Sequence, residues 1–196
     1  MRGNTNQFKE LKRRIDYLKK HYLPVANPSG HYSKKEQDEM RSFLLLSHAE
    51  FEHYFENVGK QTAKNALDNW IADHNYKSKV LLYLASFIES TERIKKADTS
   101  EDKIKAIYGH YIEILKNNNG IKRDNILNIL CPIGIDHDQI DNTWLNTITS
   151  FGTIRGEVAH TSASTQNLRD PNDILNDVNY LMKELLKIDE IIKKLS

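Results

Sequence analysis

The chain has 196 residues, 39% of them hydrophobic and 28% charged, with a formal net charge of +1. That is the profile of one ordinary globular domain able to bury a real core, not of a disordered or membrane-embedded chain. No apolar run nears the roughly 18 residues of a membrane span and the Met1–Gln7 start lacks the apolar core of a secretion signal, so a cytoplasmic protein with no membrane contact is expected.

Apolar residues Phe8, Leu11, Ile15, Leu18 and Tyr22 recur at the three-and-four spacing of one helical face, which predicts a helix from about Gln7 to Tyr22. Pro24 and the run Asn27-Pro-Ser-Gly30 end it. Ser33-Lys-Lys-Glu36 is a capping-box pattern and opens a long helix to about Val58, with Gly59 as its stop or kink. Further helices are expected at about Gln61 to His74 and Ser78 to Ser90. Another runs from Thr99 or Ser100 through Ile104, Ile107, Tyr111 and Leu115, and Asn117-Asn-Asn-Gly120 ends it. Arg123 to Leu130 is short, and Pro132 with Gly134 forces a loop. Asp136-His-Asp138 and Asp141 read as loop and N-cap residues before a helix over about Asp138 to Ala159. Asp170 as N-cap with Pro171 at the first helical position starts the last helix, which runs to about Leu195. Trp70, Trp144 and Tyr76 fit apolar helix positions better than base-stacking ones. Cys131, the one cysteine, reads as a small packed residue at a helix end, and it excludes a disulfide framework and a cysteine-based zinc site.

The expected fold is therefore all-α, an up-and-down bundle of about seven or eight helices, because short connections make neighbours antiparallel. It divides into an N-terminal basic helix and linker over 1–32 and a bundle over 33–196. The first 22 residues hold Arg2, Lys9, Lys12, Arg13, Arg14, Lys19 and Lys20 against Glu10 and Asp16. This basic stripe is either a solvated helix face or a contact to RNA phosphates through Lys12, Arg13 and Arg14.

The stretch Phe151-Gly-Thr-Ile-Arg155-Gly-Glu-Val-Ala-His160-Thr-Ser162 carries the clearest chemistry. An arginine holds phosphate charge and an imidazole moves a proton, the two acts needed to cut RNA without a metal. Spacing alone is unspecific, since Arg14 with His21 and Arg41 with His48 fit the same loose pattern. Context separates the Arg155 pair. Gly152 and Gly156 frame it, each roughly 0.5–1 kcal/mol worse than Ala in a helix, which points to close approach of the backbone to another helix or to a ligand. A polar run from Thr161 to Ser164 follows and places His160 near a helix end. Five residues at about 100° each set Arg155 and His160 about 140° apart, so a distorted helix or a second copy of the protein is needed to bring both to one phosphate.

Arg-Gly-Glu-Val-Ala-His-Thr-Ser on the penultimate helix resembles the signature of HEPN domains, and the fuller stretch from Phe151 resembles the RiboL-PSP-HEPN branch. The long early helix with Ser42-Phe-Leu-Leu-Leu-Ser-His-Ala-Glu-Phe-Glu-His-Tyr-Phe55 is similar to the family's first core helix. The resemblance covers about 33–195. It implies a bundle that pairs into a homodimer with a composite site, and an endoribonuclease that needs no metal and no cofactor. Such enzymes often serve in toxin-antitoxin or phage-defence systems, so RNA and an antitoxin are the implied partners.

Carried onto this chain, the resemblance makes Arg155 the group that stabilises the phosphorane and His160 the general base or acid for attack of the ribose 2′-hydroxyl. The products would be a 2′,3′-cyclic phosphate and a 5′-hydroxyl. Many catalytic members place Asn, Asp or His directly after the Arg, where this chain has Gly156. An acidic residue of the early helix can support the pair, Glu52 first and Glu50 second; Glu157 adjoins the pair but would point elsewhere. His48 with Glu52 and His110 with Glu113 have metal-compatible spacings, but the repeated Glu-x-x-His pairs of a di-metal bundle are absent. Two other readings stand beside the ribonuclease: a HEPN-fold RNA-binding or interaction module that does not cleave, and an unrelated helical adaptor.

Overall fold

The computed structural model describes residues 4–73, 78–88, 92–160 and 169–195, without the side chains of residues 93, 159 and 160. Eight α-helices follow one another among them: α1 Asn6–Tyr22, α2 Lys34–Asp73, α3 Lys79–Phe87, α4 Glu92–Lys95, α5 Ser100–Asn117, α6 Arg123–Leu130, α7 Asn142–His160 and α8 Pro171–Leu195. Two 3-10 turns, Cys131–Ile133 and His137–Gln139, join α6 to α7. The described residues contain no strand, and the chain is an all-α bundle. No described helix is long and apolar enough to cross a membrane.

The helix starts are built from the caps that the sequence proposes. Glu36 Oε2 accepts from the Ser33 N–H at 2.7 Å while Ser33 Oγ accepts from the Glu36 N–H at 3.3 Å, a closed capping box on α2. Asp170 Oδ1 accepts from the Asn172 N–H at 2.8 Å at the head of α8. The α7 cap is Asp141, whose Oδ1 accepts from the Trp144 N–H at 2.8 Å. Asp138 lies in the preceding 3-10 turn, so α7 begins four residues later than the sequence suggests.

Gly59 neither stops nor kinks α2, and the segments read as two helices are one element of 40 residues. Gly59 is instead a close-approach residue. A Cβ there would lie 2.5 Å from Tyr111 Oη and 2.9 Å from Ile129 Cγ2. The Tyr111 hydroxyl donates to the Ile129 carbonyl at 2.7 Å, so this glycine lets α5 and α6 lock together directly against α2.

α2 is the spine, packed by α1, α3, α5, α6, α7 and α8. α1 sends Phe8, Leu11, Ile15 and Leu18 into the same core as Phe51, Phe55, Trp144, Phe151 and Leu185. Trp144 is fully buried with its Nε1–H on the Leu181 carbonyl at 3.1 Å, and Trp70 is buried too; Tyr76 lies outside the described residues. Cys131 is a buried free thiol whose pKa burial pushes up, as suits a packing residue. At the far side Asp189 is completely buried and accepts from the Thr5 N–H and the Tyr54 hydroxyl, each at 2.9 Å, which ties α8 to the head of α1 and to α2.

Replacing Gly59 by alanine should lower the urea midpoint by the equivalent of about 1–3 kcal/mol, the usual penalty of an overpacked core, despite alanine's better helix propensity. A midpoint equal to or above that of the wild type would show that Tyr111 can yield.

Candidate functional site

Three segments from distant parts of the sequence enclose an open, polar pocket of about 300 Å³. α2 supplies His48 and Glu52, α7 supplies Gly152, Thr153, Arg155 and Gly156, and the turn between α5 and α6 supplies Asn119, Gly120 and Lys122.

The turn is held in place by hydrogen bonds that a loop of asparagines and glycine is suited to make. Gly120 has φ +107°, a conformation that side chains disfavour, and its N–H donates to Glu52 Oε1. Asn125 Nδ2 reaches Asn118 Oδ1 and the Asn119 carbonyl, both at 3.2 Å. The first amide of α6, on Arg123, donates to Thr149 Oγ1 of α7 at 2.9 Å, and Ile121 is buried to 1% exposure between them. The run Asn117–Gly120, which the sequence shows only as a helix terminator, is thus a wall of the pocket.

The two candidate acids separate cleanly. Glu52 lines the pocket, whereas Glu50 turns towards α1 and pairs with Arg14 Nε at 2.8 Å. Glu157 is exposed on α7 and does not line the pocket. Arg155 is exposed and lines the same pocket as Glu52. The backbone of His160 closes α7, but its imidazole lies outside the described side chains, as does the polar run Thr161–Ser164. α7 is helical without a break from Asn142 to His160, so the azimuthal separation of Arg155 and His160 remains about 140°.

His48, weighed in the sequence only as a metal-spaced neighbour of Glu52, is a further lining residue of the pocket. It is 3% exposed, and its Nδ1 stands 3.8 Å from Glu52 Oε2. Burial holds its pKa below the usual imidazole value; the charge of Glu52 opposes this, and that of Arg155, the weakest of the three, adds to it. The signal in the sequence is the four-residue spacing to Glu52, which is as consistent with a shared pocket as with a metal pair. Among the described residues no group of three or more His, Cys, Asp or Glu is placed to hold a metal ion.

The two glycines of the motif differ in use. A Cβ on Gly152 would lie 3.4 Å from Ile121 Cγ1 and 3.9 Å from His48 Nε2, so α7 approaches the turn closely here. Around Gly156 no described atom lies within 4 Å of such a Cβ, so packing does not call for glycine, and the position borders the pocket.

Three cations of the basic stripe of α1 are paired with carboxylates. Lys12 pairs with Asp16 at 2.7 Å, Arg13 with Glu10 at 2.5 Å, and Arg14 with Glu50 while lying 5.4 Å from the centre of the Tyr17 ring.

The chain is thus an all-α bundle in which Arg155 of the penultimate helix and Glu52 of the long α2 line one pocket. The model of the RiboL-PSP-HEPN family matches residues 9–194, and the chain belongs to that family. The match takes in α1, which lies ahead of the 33–195 stretch that carries the sequence resemblance. No curated protein and no solved structure matches it.

Gly156→Ala should stabilise the protein by about 0.5–1 kcal/mol in urea denaturation, since the helix gains and nothing is crowded. A loss of stability would reveal a packing role for the glycine.

Proposed function

We propose that this chain is a metal-independent endoribonuclease of HEPN type, of the kind that serves toxin-antitoxin or phage-defence systems. The observation that carries this reading is the convergence of Arg155 and Glu52, from helices far apart in sequence, on one open polar pocket with Lys122 as its second cation. A phosphodiester in that pocket would meet two positive side chains. Arg155 would neutralise the extra charge of the phosphorane, where a fixed cation acts most strongly. His160 would serve as general base or acid while the ribose 2′-hydroxyl attacks the adjacent phosphorus. Glu52 holds the wall of the pocket through the Gly120 amide and so positions the site. The expected products are a 2′,3′-cyclic phosphate and a 5′-hydroxyl.

The proposal includes a homodimer. Arg155 and His160 lie about 140° apart on an unbroken helix, which supports a composite cleft in which each copy completes the other's pair. Lys12, Arg13 and Arg14 would contribute to RNA binding only by exchanging their carboxylate partners for phosphates, an electrostatic term that salt should weaken.

Purified protein incubated with total RNA in excess EDTA should yield fragments with cyclic phosphate ends. His160→Ala should lose about 10²- to 10⁴-fold in rate, with an unchanged melting temperature. Arg155→Ala should lose about 10²- to 10³-fold and bind RNA more weakly. Saturable RNA binding with intact substrate would instead mark a non-catalytic module of the same fold, and inhibition by EDTA would remove the metal-independent mechanism.

A further inference from the structure

His48 is a buried imidazole placed where chemistry would occur. It sits on α2 one turn before Glu52, is 3% exposed, and still lines the pocket shared with Arg155. Packing therefore fixes the ring at the wall of the pocket. Nδ1 faces Glu52 Oε2 at 3.8 Å. Nε2 lies on the side of α7, 3.9 Å from where a Cβ on Gly152 would stand.

We infer that His48 is the general base of this site: its Nε2 takes the proton of the ribose 2′-hydroxyl while Glu52 steadies Nδ1, which leaves the acid's part to His160. The inference rests on the ribonuclease reading above and divides its two proton transfers between two imidazoles. A carboxylate beside Nδ1 favours the tautomer with the proton on Nδ1 and a free lone pair on Nε2, the form that a base requires. The charged groups around the ring are Glu52 on α2, Arg155 on α7 and Lys122 on the turn before α6. Burial and Arg155 disfavour the imidazolium at rest, so the ring is neutral and ready near pH 7. Once it takes a proton, the carboxylate of Glu52 offsets the new charge.

The step balances without any further reactant. The 2′-oxygen forms its bond to phosphorus as its proton passes to His48 Nε2. The bond from phosphorus to the 5′-oxygen breaks, and that oxygen takes a proton from the imidazolium of His160. The cyclic phosphate keeps the single negative charge of the original diester, and solvent returns the two histidines to their starting forms.

The test compares wild type, His48→Gln and His160→Ala on an RNA that the wild type cuts, over a range of pH. A second substrate carries a bridging 5′-sulfur at the mapped cleavage site, a leaving group that needs no acid. His48→Gln should lose about 10²- to 10⁴-fold on both substrates. It should also lose the fall in rate that the wild type shows in acid, on the low side of the ordinary imidazole range, where the base becomes protonated. His160→Ala should be restored by the sulfur substrate, and His48→Gln should not. A His48→Gln variant that cuts at the wild-type rate, or that is slowed but keeps the wild-type acidic limb, would reduce His48 to a packing residue and overturn the inference alone. A variant restored by the sulfur substrate would make it the acid and overturn the assignment. No cleavage by the wild type itself would overturn the ribonuclease reading and the inference together.

Discussion

Forty residues of unbroken helix make α2 about 60 Å long, and every other α-helix except α4 gains its position by packing on it or beside it. The constraint that permits this is the absence of a side chain at Gly59. With Tyr111 and Ile129 pressed against its backbone, α2 packs directly on α5 and α6. The same rod carries His48 and Glu52 on one face and Glu50 on another. A single rigid element thus sets both the core and the floor of the pocket, so small shifts in the core reach the site with little damping.

Charge is distributed with a similar logic. Lys12, Arg13 and Arg14 of α1 have carboxylates within ion-pair distance, two of them on the same helix. Glu52 engages the backbone of the turn and faces an imidazole rather than a lysine or arginine. Arg155 and Lys122 therefore give the pocket a positive character that the nearly neutral whole does not predict. An anion of the nucleic-acid backbone would be drawn to that place by local field rather than by net charge.

Much of the bundle was legible because its signals are local. Caps at Ser33 and Asp170 and the apolar series of α1, α5 and α8 depend on residues a turn apart. Gly59 was misread because a glycine that ends a helix and one that admits a neighbour look alike until the neighbour is known, and here it arrives from Tyr111 and Ile129. The motif arginine was legible from its glycine-framed context. Glu52 and Glu50 could be ranked only by resemblance, since what divides them is which partner each face of α2 meets. His48 could be read only as a metal-spaced neighbour of Glu52 for the same reason. Its partners in the pocket come from a turn some seventy residues later and from α7, and no local period foretells them.

The buried carboxylate of Asp189 has a consequence for how the chain reaches this structure. It joins Thr5 to α8 across 184 residues of sequence and holds Tyr54 of the spine at the same time. A contact of that span is uncommon in a helical bundle, where most pairings are close along the chain and folding is fast. During synthesis α1 can form and lie on α2, but its head stays without this acceptor until residue 189 has been made. Closure by this one side chain, which secures the first and last helices together, can therefore come only after the last helix has been synthesised.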